Sequence, residues 1–354
     1  MNAPSDFRSD NVTGVSPEVM QALAAVNTGT MTSYGGDEVT ARLQSRLADI
    51  FEKDVVVFPV LTGTAANVLS LTSLTPPHGS VFCHRQAHIE EDEAGGTEFY
   101  TGGAKLVLLD GPAGKYSAGA FKERLATAGR RTPHMVPPTT VSITQATELG
   151  GVYSLDEISA ISDIARSRDM GVHMDGARFA NALIQLGCSP AEMTWRAGVD
   201  VLSFGSTKNG TMGAEAVVFF NPERVGSFIY NRMRGGHLAS KMRFLSAQLE
   251  AYVEGDLWLR NAAHANAAAA KLSQGLMALP GARLLAPVEA NEIFLGLPEA
   301  VIAGLEADGH LFHRWSQDGD TVYIRLVCAW NSPDEMIEAL IAAATRHATG
   351  VAAE

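Results

Sequence analysis

Cysteine is scarce in this chain: Cys83, Cys188 and Cys328 stand far apart and form no CxxC pair. An odd, sparse set argues against a disulfide-built scaffold and fits a reducing compartment. Positive charge is also in deficit, with 27 Lys and Arg against 39 Asp and Glu and a formal net charge of -12. With no basic patch interleaved with aromatics, that balance argues against nucleic acid or an anionic membrane as a partner. It still allows a phosphate held locally by a few N–H groups. The opening residues, MNAPSDFRSDN, lack the apolar stretch of a secretory signal, and no run has the length of a membrane-spanning helix. No GxGxxG follows a strand-like run and opens a helix, which weighs against a nucleotide-dependent dehydrogenase. No metal-ligand spacing is evident, so no metal is expected. A cytoplasmic protein is the expectation.

What is present is ordinary for a globular enzyme: 354 residues, 46% hydrophobic and 19% charged. That length allows one large domain with a smaller companion. Short apolar runs alternate with amphipathic stretches, the pattern of an α/β fold. Strands are predicted at 55–58, 105–109, 140–144, 171–174, 201–204 and 215–220, and a helix at 63–74. Ser16-Pro17 reads as a helix start, and Asp37 as the N-cap of a helix carrying Val39, Leu43 and Leu47 on one face. Ser154 to Glu157 and Ser332 to Glu335 both read as capping boxes. After about residue 250 the texture changes to one alanine-rich helix over 256–280, then short strands at 291–295 and 321–327. A large α/β domain with a mostly parallel sheet is expected over 1–250, and a smaller α+β domain over 251–354.

Two residues stand out chemically. Asp175 closes a short apolar strand in GVHMDGARFANAL, and Lys208 follows the next one in VDVLSFGSTKNG. Ligands of open α/β sheets bind beyond the carboxyl ends of strands. A spacing of 208 − 175 = 33 residues leaves room for a helix and a return strand, so both groups can reach one crevice. Pyridoxal phosphate needs such a pair: an amine for its aldehyde, and a carboxylate to keep its ring nitrogen protonated. The chain has seven lysines, and only Lys208 lies between small residues directly after a strongly apolar strand. Taken singly, each residue also fits a plainer role, Asp175 as a helix cap and Lys208 as a solvated loop lysine.

Six segments together carry a wider likeness: DFRSDNVTGVSPEVMQAL, TSYGGDEVTARLQ, TGTAANVLSL, HIEEDEAGG, VHMDGARFANAL and SFGSTKNG. In order and spacing they resemble the L-threonine aldolases, which belong to the β-eliminating lyases among the aspartate-aminotransferase-like (fold type I) pyridoxal phosphate enzymes. The resemblance runs from about residue 6 to about residue 330. It implies pyridoxal 5'-phosphate bound to Lys208 as a Schiff base, with Asp175 on the ring nitrogen. Gly63 and Thr64 would hold the phosphate at a helix N-terminus, although TGT alone also fits a tight turn. His88 would stack on the ring; alone, it also fits a surface histidine in a polar helix. Ser9, Arg178 and Arg325 would bind the substrate carboxylate. Arg325 sits in an otherwise apolar strand, TVYIRLV, where a guanidinium needs an anion, either a ligand or an internal carboxylate. Tyr34 would approach from a neighbouring subunit, implying a homo-oligomer, a tetramer built as a dimer of dimers. Lys241 would reach the neighbouring cofactor phosphate or lie solvated on a helix, and His84 is read as structural.

The implied reaction is reversible retro-aldol cleavage of L-threonine, L-allo-threonine and phenylserine-like β-hydroxy-α-amino acids to glycine and an aldehyde. The alternative is β-elimination to ammonia and a 2-oxo acid on the same Lys208 and Asp175. A retained fold without catalysis is disfavoured, because both residues are present. One departure stands against the family pattern. Many members carry a histidine before the Asp strand that contacts the substrate β-hydroxyl, and here Thr147 in SITQATELGG takes that position. The expectation is that His88, with an ordered water, takes over its work.

Overall fold

The computed structural model describes residues 5–351, so the outermost residues of both expected domains, 1–4 and 352–354, lie outside it. Among the described residues eleven strands run in chain order as β1 (Val56–Val60), β2 (Ser80–His84), β3 (Lys105–Leu109), β4 (Pro138–Thr144), β5 (Gly171–Gly176), β6 (Val201–Phe204), β7 (Glu215–Phe219), β8 (Arg283–Leu284), β9 (Glu292–Pro298), β10 (His313–Asp318) and β11 (Thr321–Val327). The first seven form one sheet in the order β1-β7-β6-β5-β4-β2-β3. Strands β2 to β6 pair in parallel, while β7 runs antiparallel to both β6 and β1. Strands β2, β5, β6 and β7 are buried along their whole length. That explains their uninterrupted apolar runs, since a sheet covered on both faces has no polar side to alternate with.

The last four strands form a separate antiparallel sheet in the order β10-β11-β9-β8. Its apolar face packs against the helix Asp334–Val351 and the second half of the alanine-rich helix Leu257–Met277. The first half of that helix, through Trp258 and Ala262, belongs instead to the core of the large sheet. Runs of alanine allow this close approach on several sides, so one helix ties the two cores together.

The N-terminal segment crosses between them as well. Phe7 is fully buried in the second core, and its backbone bonds to Leu311 and Val327 join it to the small sheet. Residues 5–7 thus pack with the C-terminal sheet, although they are far from it in sequence.

Local signals behave unevenly. Ser154 forms the expected capping box with Glu157, and Asp37 accepts from the Thr40 N–H. Ser332 does not cap in the expected way: its hydroxyl accepts from the Ala329 N–H, and the helix proper begins at Asp334. The helix Pro17–Val26 starts as expected with Ser16 as its N-cap and proline in its first turn, although the Ser16 hydroxyl makes no capping bond and accepts from the Asn261 side chain at 3.1 Å.

Candidate active site

The carboxyl ends of three neighbouring parallel strands place Thr144, Asp175 and Ser203 in register, Thr144 opposite Asp175 and Asp175 opposite Ser203. All three line a cavity of about 310 Å³, which also takes residues from the turn after β1, the helix after it and the loop after β6. This is where an open α/β sheet presents its ligands.

Asp175 is buried, and its two oxygens are fixed separately. Oδ1 accepts from the Ala177 N–H at 2.9 Å and Oδ2 from Asn67 Nδ2 at 2.7 Å. Beneath it on the same strand lies His173, fully buried between the hydroxyls of Ser142 and Ser203 at 2.8 and 3.0 Å. Burial pushes this imidazole down to about 4, so it is neutral and serves as a polar strut.

Lys208 is half-buried on a single turn after β6 and lines the cavity. Its loop is anchored on both sides. Asn209 donates to the Tyr252 hydroxyl at 2.8 Å and the Trp258 carbonyl at 2.9 Å, and the Ser206 N–H donates to Glu215 at 2.7 Å. Behind that loop, Phe51, Phe179, Phe204, Tyr252 and Trp258 pack edge to face or stacked. Such pairs add to plain area burial and make a rigid backing for the lysine.

The helix Gly63–Leu74 points its N-terminus at the same space. Thr62 caps it by accepting from the Ala65 N–H, while Gly63 and Thr64 line the cavity with N–H groups that have no acceptor within the helix. A Cβ on Gly63 would meet nothing within 4 Å, so an anion has open space there.

His88 lines the cavity from the short helix after β2. Its Nδ1 lies 2.8 Å from Glu93 Oε1, which also accepts from Asn67 Nδ2 at 2.9 Å. The hydrogen bond to Glu93 raises the imidazole above its ordinary value against the opposing effect of burial, and burial raises the Glu93 carboxyl too. The pair therefore keeps a proton to higher pH than either group alone.

Arg178 also lines the cavity, but its guanidinium is already engaged: Nε meets Asp10 at 2.9 Å and one terminal nitrogen meets Glu292 at 3.0 Å. Burial opposes its charge, yet the two carboxylates raise it above the usual arginine value. Ser9, Tyr34 and Arg325 are not among the residues lining this cavity. The Ser9 hydroxyl accepts from the Asn11 N–H at 3.1 Å, next to a residue that does line it. Arg325 is half-buried, with one terminal nitrogen 3.1 Å from the Arg8 carbonyl and its Nε buried without an acceptor. Tyr34 is 56% exposed, and its N–H donates to the Ser240 carbonyl, beside the exposed Lys241. His84 is buried and bonded to the Gly111 carbonyl at 3.1 Å.

Four polar residues of the site were not singled out from the sequence. Asn67 and Glu93 lie inside the quoted motifs TGTAANVLSL and HIEEDEAGG, where burial of the whole segment was not legible. Glu215 opens β7, and burial raises its carboxyl to about 7. Glu148 lines the cavity one residue beyond Thr147, whose hydroxyl is turned away to the Ala113 carbonyl at 2.7 Å and the Gly151 N–H at 2.9 Å.

A buried carboxylate, an anchored amine and an open helix N-terminus around one cavity are groups that can hold an aromatic phosphorylated aldehyde. Known proteins agree with that reading. The family model described as "Beta-eliminating lyase" matches residues 6–299. A low specificity L-threonine aldolase of Pseudomonas sp. is 43% identical over 95% of this chain and 96% of its own length. Another from Pseudomonas aeruginosa is 43% identical over 94% and 95%. The solved threonine aldolase of Leishmania major superposes with a TM-score of 0.91 at 27% identity, covering 97% of this chain and 99% of that one. On the span of the family match and the near full-length identity to these relatives, the chain belongs to the β-eliminating lyase family.

Proposed function

We propose that this protein is a pyridoxal 5'-phosphate-dependent aldehyde-lyase that cleaves L-threonine, L-allo-threonine and related β-hydroxy-α-amino acids reversibly to glycine and an aldehyde. The observation that carries it is the convergence of Asp175, Lys208 and the N-terminus of the helix Gly63–Leu74 on one cavity of about 310 Å³. The 43% identity to low specificity L-threonine aldolases over 95% of the chain supplies the reaction class.

The residues present fit the cofactor. Lys208 would hold its aldehyde carbon, Asp175 its ring nitrogen, His88 one ring face, and the Gly63 and Thr64 N–H groups its phosphate. When bound, the protonated ring withdraws the negative charge that develops at the substrate α-carbon. The chain supplies the rest. Asn67 and the Ala177 N–H fix the Asp175 carboxylate, so its orientation is set before anything binds. The buried, unsatisfied Nε of Arg325 supports a carboxylate ligand, a role the family resemblance also gives to Ser9 and Arg178. Fixing that carboxylate would set which bond at the α-carbon is presented for cleavage.

Assembly and place follow the same reading. Exposed Phe99, Ile229, Tyr230 and Met233, at 80, 49, 68 and 59%, support a homo-oligomer, with Tyr34 serving a neighbouring subunit's site. We place it as a tetramer of two dimers in the cytoplasm; among the described residues no helix is long and apolar enough to cross a membrane. The division into a cofactor domain over 1–250 and a smaller domain over 251–354 is likewise our reading of the two cores.

Product analysis tests the function. The holoenzyme, given the four threonine stereoisomers and phenylserine, is expected to release glycine with acetaldehyde or benzaldehyde from the L forms. Ammonia with a 2-oxo acid, and no glycine, would replace this reading with β-elimination.

A further inference from the structure

Retro-aldol cleavage requires a base for the β-hydroxyl, and the family histidine is missing at Thr147. The Thr147 side chain does not fill the gap, being bonded to Ala113 and Gly151. His88 is poorly suited to the task, because its bond to Glu93 favours the protonated imidazole. The neighbouring carboxyl is placed differently. Glu148 Oε1 is held by the His88 backbone N–H at 2.8 Å and the Thr144 hydroxyl at 2.9 Å, which fixes the side chain in one orientation at the cavity wall. Oε2 is buried and has no hydrogen-bond partner within the protein. A buried carboxyl oxygen left bare beside a substrate cavity is costly unless a ligand group satisfies it.

We propose that Glu148 is the base that takes the β-hydroxyl proton of the substrate, through Oε2, in place of the absent histidine. This rests on the aldehyde-lyase reading above and deepens it. In the step, the substrate O–H bond breaks with its proton passing to Oε2, and its electron pair becomes the second bond of the departing aldehyde. The Cα–Cβ bond breaks, its pair stays with Cα, and a proton taken up at Cα completes glycine.

The electrostatics agree with the geometry. Burial, and then the nearby Asp175 charge, raise the Glu148 carboxyl to about 7. It is therefore an acid below that pH and a base above it, poised as general acid–base catalysis prefers. The other groups acting on it are His88 after β2, Cys83 on β2, Tyr153 after β4 and Arg178 after β5, with Lys208 elsewhere on the cavity wall.

The test compares two reactions of the holoenzyme at one site: aldehyde release from L-threonine, and exchange of the glycine α-proton with deuterated water, which involves no hydroxyl. In Glu148→Gln the ratio of cleavage to exchange should fall by about 100-fold or more, and the acid limb of the kcat–pH profile near 7 should vanish. An infrared band of a protonated carboxyl that titrates near neutral pH should be lost in the same variant. Equal loss of both reactions, loss of neither, or an acid limb that stays in place would overturn the assignment. Should Glu148→Gln fail to fold, Glu148→Asp decides: a displaced acid limb with exchange retained supports the base, and an unmoved limb rejects it. A wild-type enzyme that exchanges glycine but releases no aldehyde would instead remove the lyase reading itself.

Discussion

Arg178 is enclosed by Asp10 and Glu292 at 2.9 and 3.0 Å, whereas Arg325 donates to the Arg8 carbonyl and keeps a buried Nε with no acceptor among the described residues. The two arginines should therefore respond differently to removal. Arg178→Ala leaves two carboxylates buried together, a loss of about 3–5 kcal/mol that a denaturant midpoint or Tm would register. Arg325→Ala should leave Tm nearly unchanged and raise KM for the amino acid about 10- to 100-fold, with a smaller effect on kcat. A normal KM in Arg325→Ala would remove it from the carboxylate site. At this scale strand ends and a shortage of lysines drew attention to Asp175 and Lys208 while leaving a plainer role open for each, and the structure brings both to one cavity. Glu148 was hidden: the family resemblance pointed to Thr147 as the approximate place of the absent histidine, but only the backbone path decides which of two adjacent side chains lines the cavity.

The strand ends that carry the site approach each other very closely. A Cβ added to Gly205 would lie 2.6 Å from the Gly176 and Ala177 carbonyl oxygens and 2.7 Å from the Ala177 Cα. Backbone must then move, and it is the backbone that leads from Asp175 on β5 to Lys208 after β6. Gly205→Ala should cost about 1–3 kcal/mol in stability and weaken pyridoxal phosphate binding at least tenfold, measured by titrating apoenzyme with cofactor. Unchanged affinity would mean that the two loops are positioned independently. Strands β3, β6 and β11 were legible residue for residue, because apolar runs bounded by turn residues mark buried strands. β10 was not: all its side chains are exposed, and as an edge strand it carries HRWSQD with no apolar face to read. β2, SVFCH, was missed because only Val81, Phe82 and Cys83 are apolar, too short a run between Ser80 and His84 to stand out.

Across the whole molecule, one helix and one N-terminal segment tie two cores together. Phe7 packs in the second core while Asp10, three residues on, pairs with Arg178 beside the large sheet. The change of texture near residue 250 precedes the strands of the second sheet, but these crossings are long-range contacts that no local pattern encodes. The central claim is that this architecture delivers one lysine of seven to a carbonyl cofactor. Borohydride reduction of the holoenzyme, followed by peptide mapping, tests it most directly. The pyridoxyl label is predicted on Lys208, with visible absorbance lost in Lys208→Ala. A label on any other lysine, or a Lys208→Ala protein that is still reduced and labelled, would contradict it.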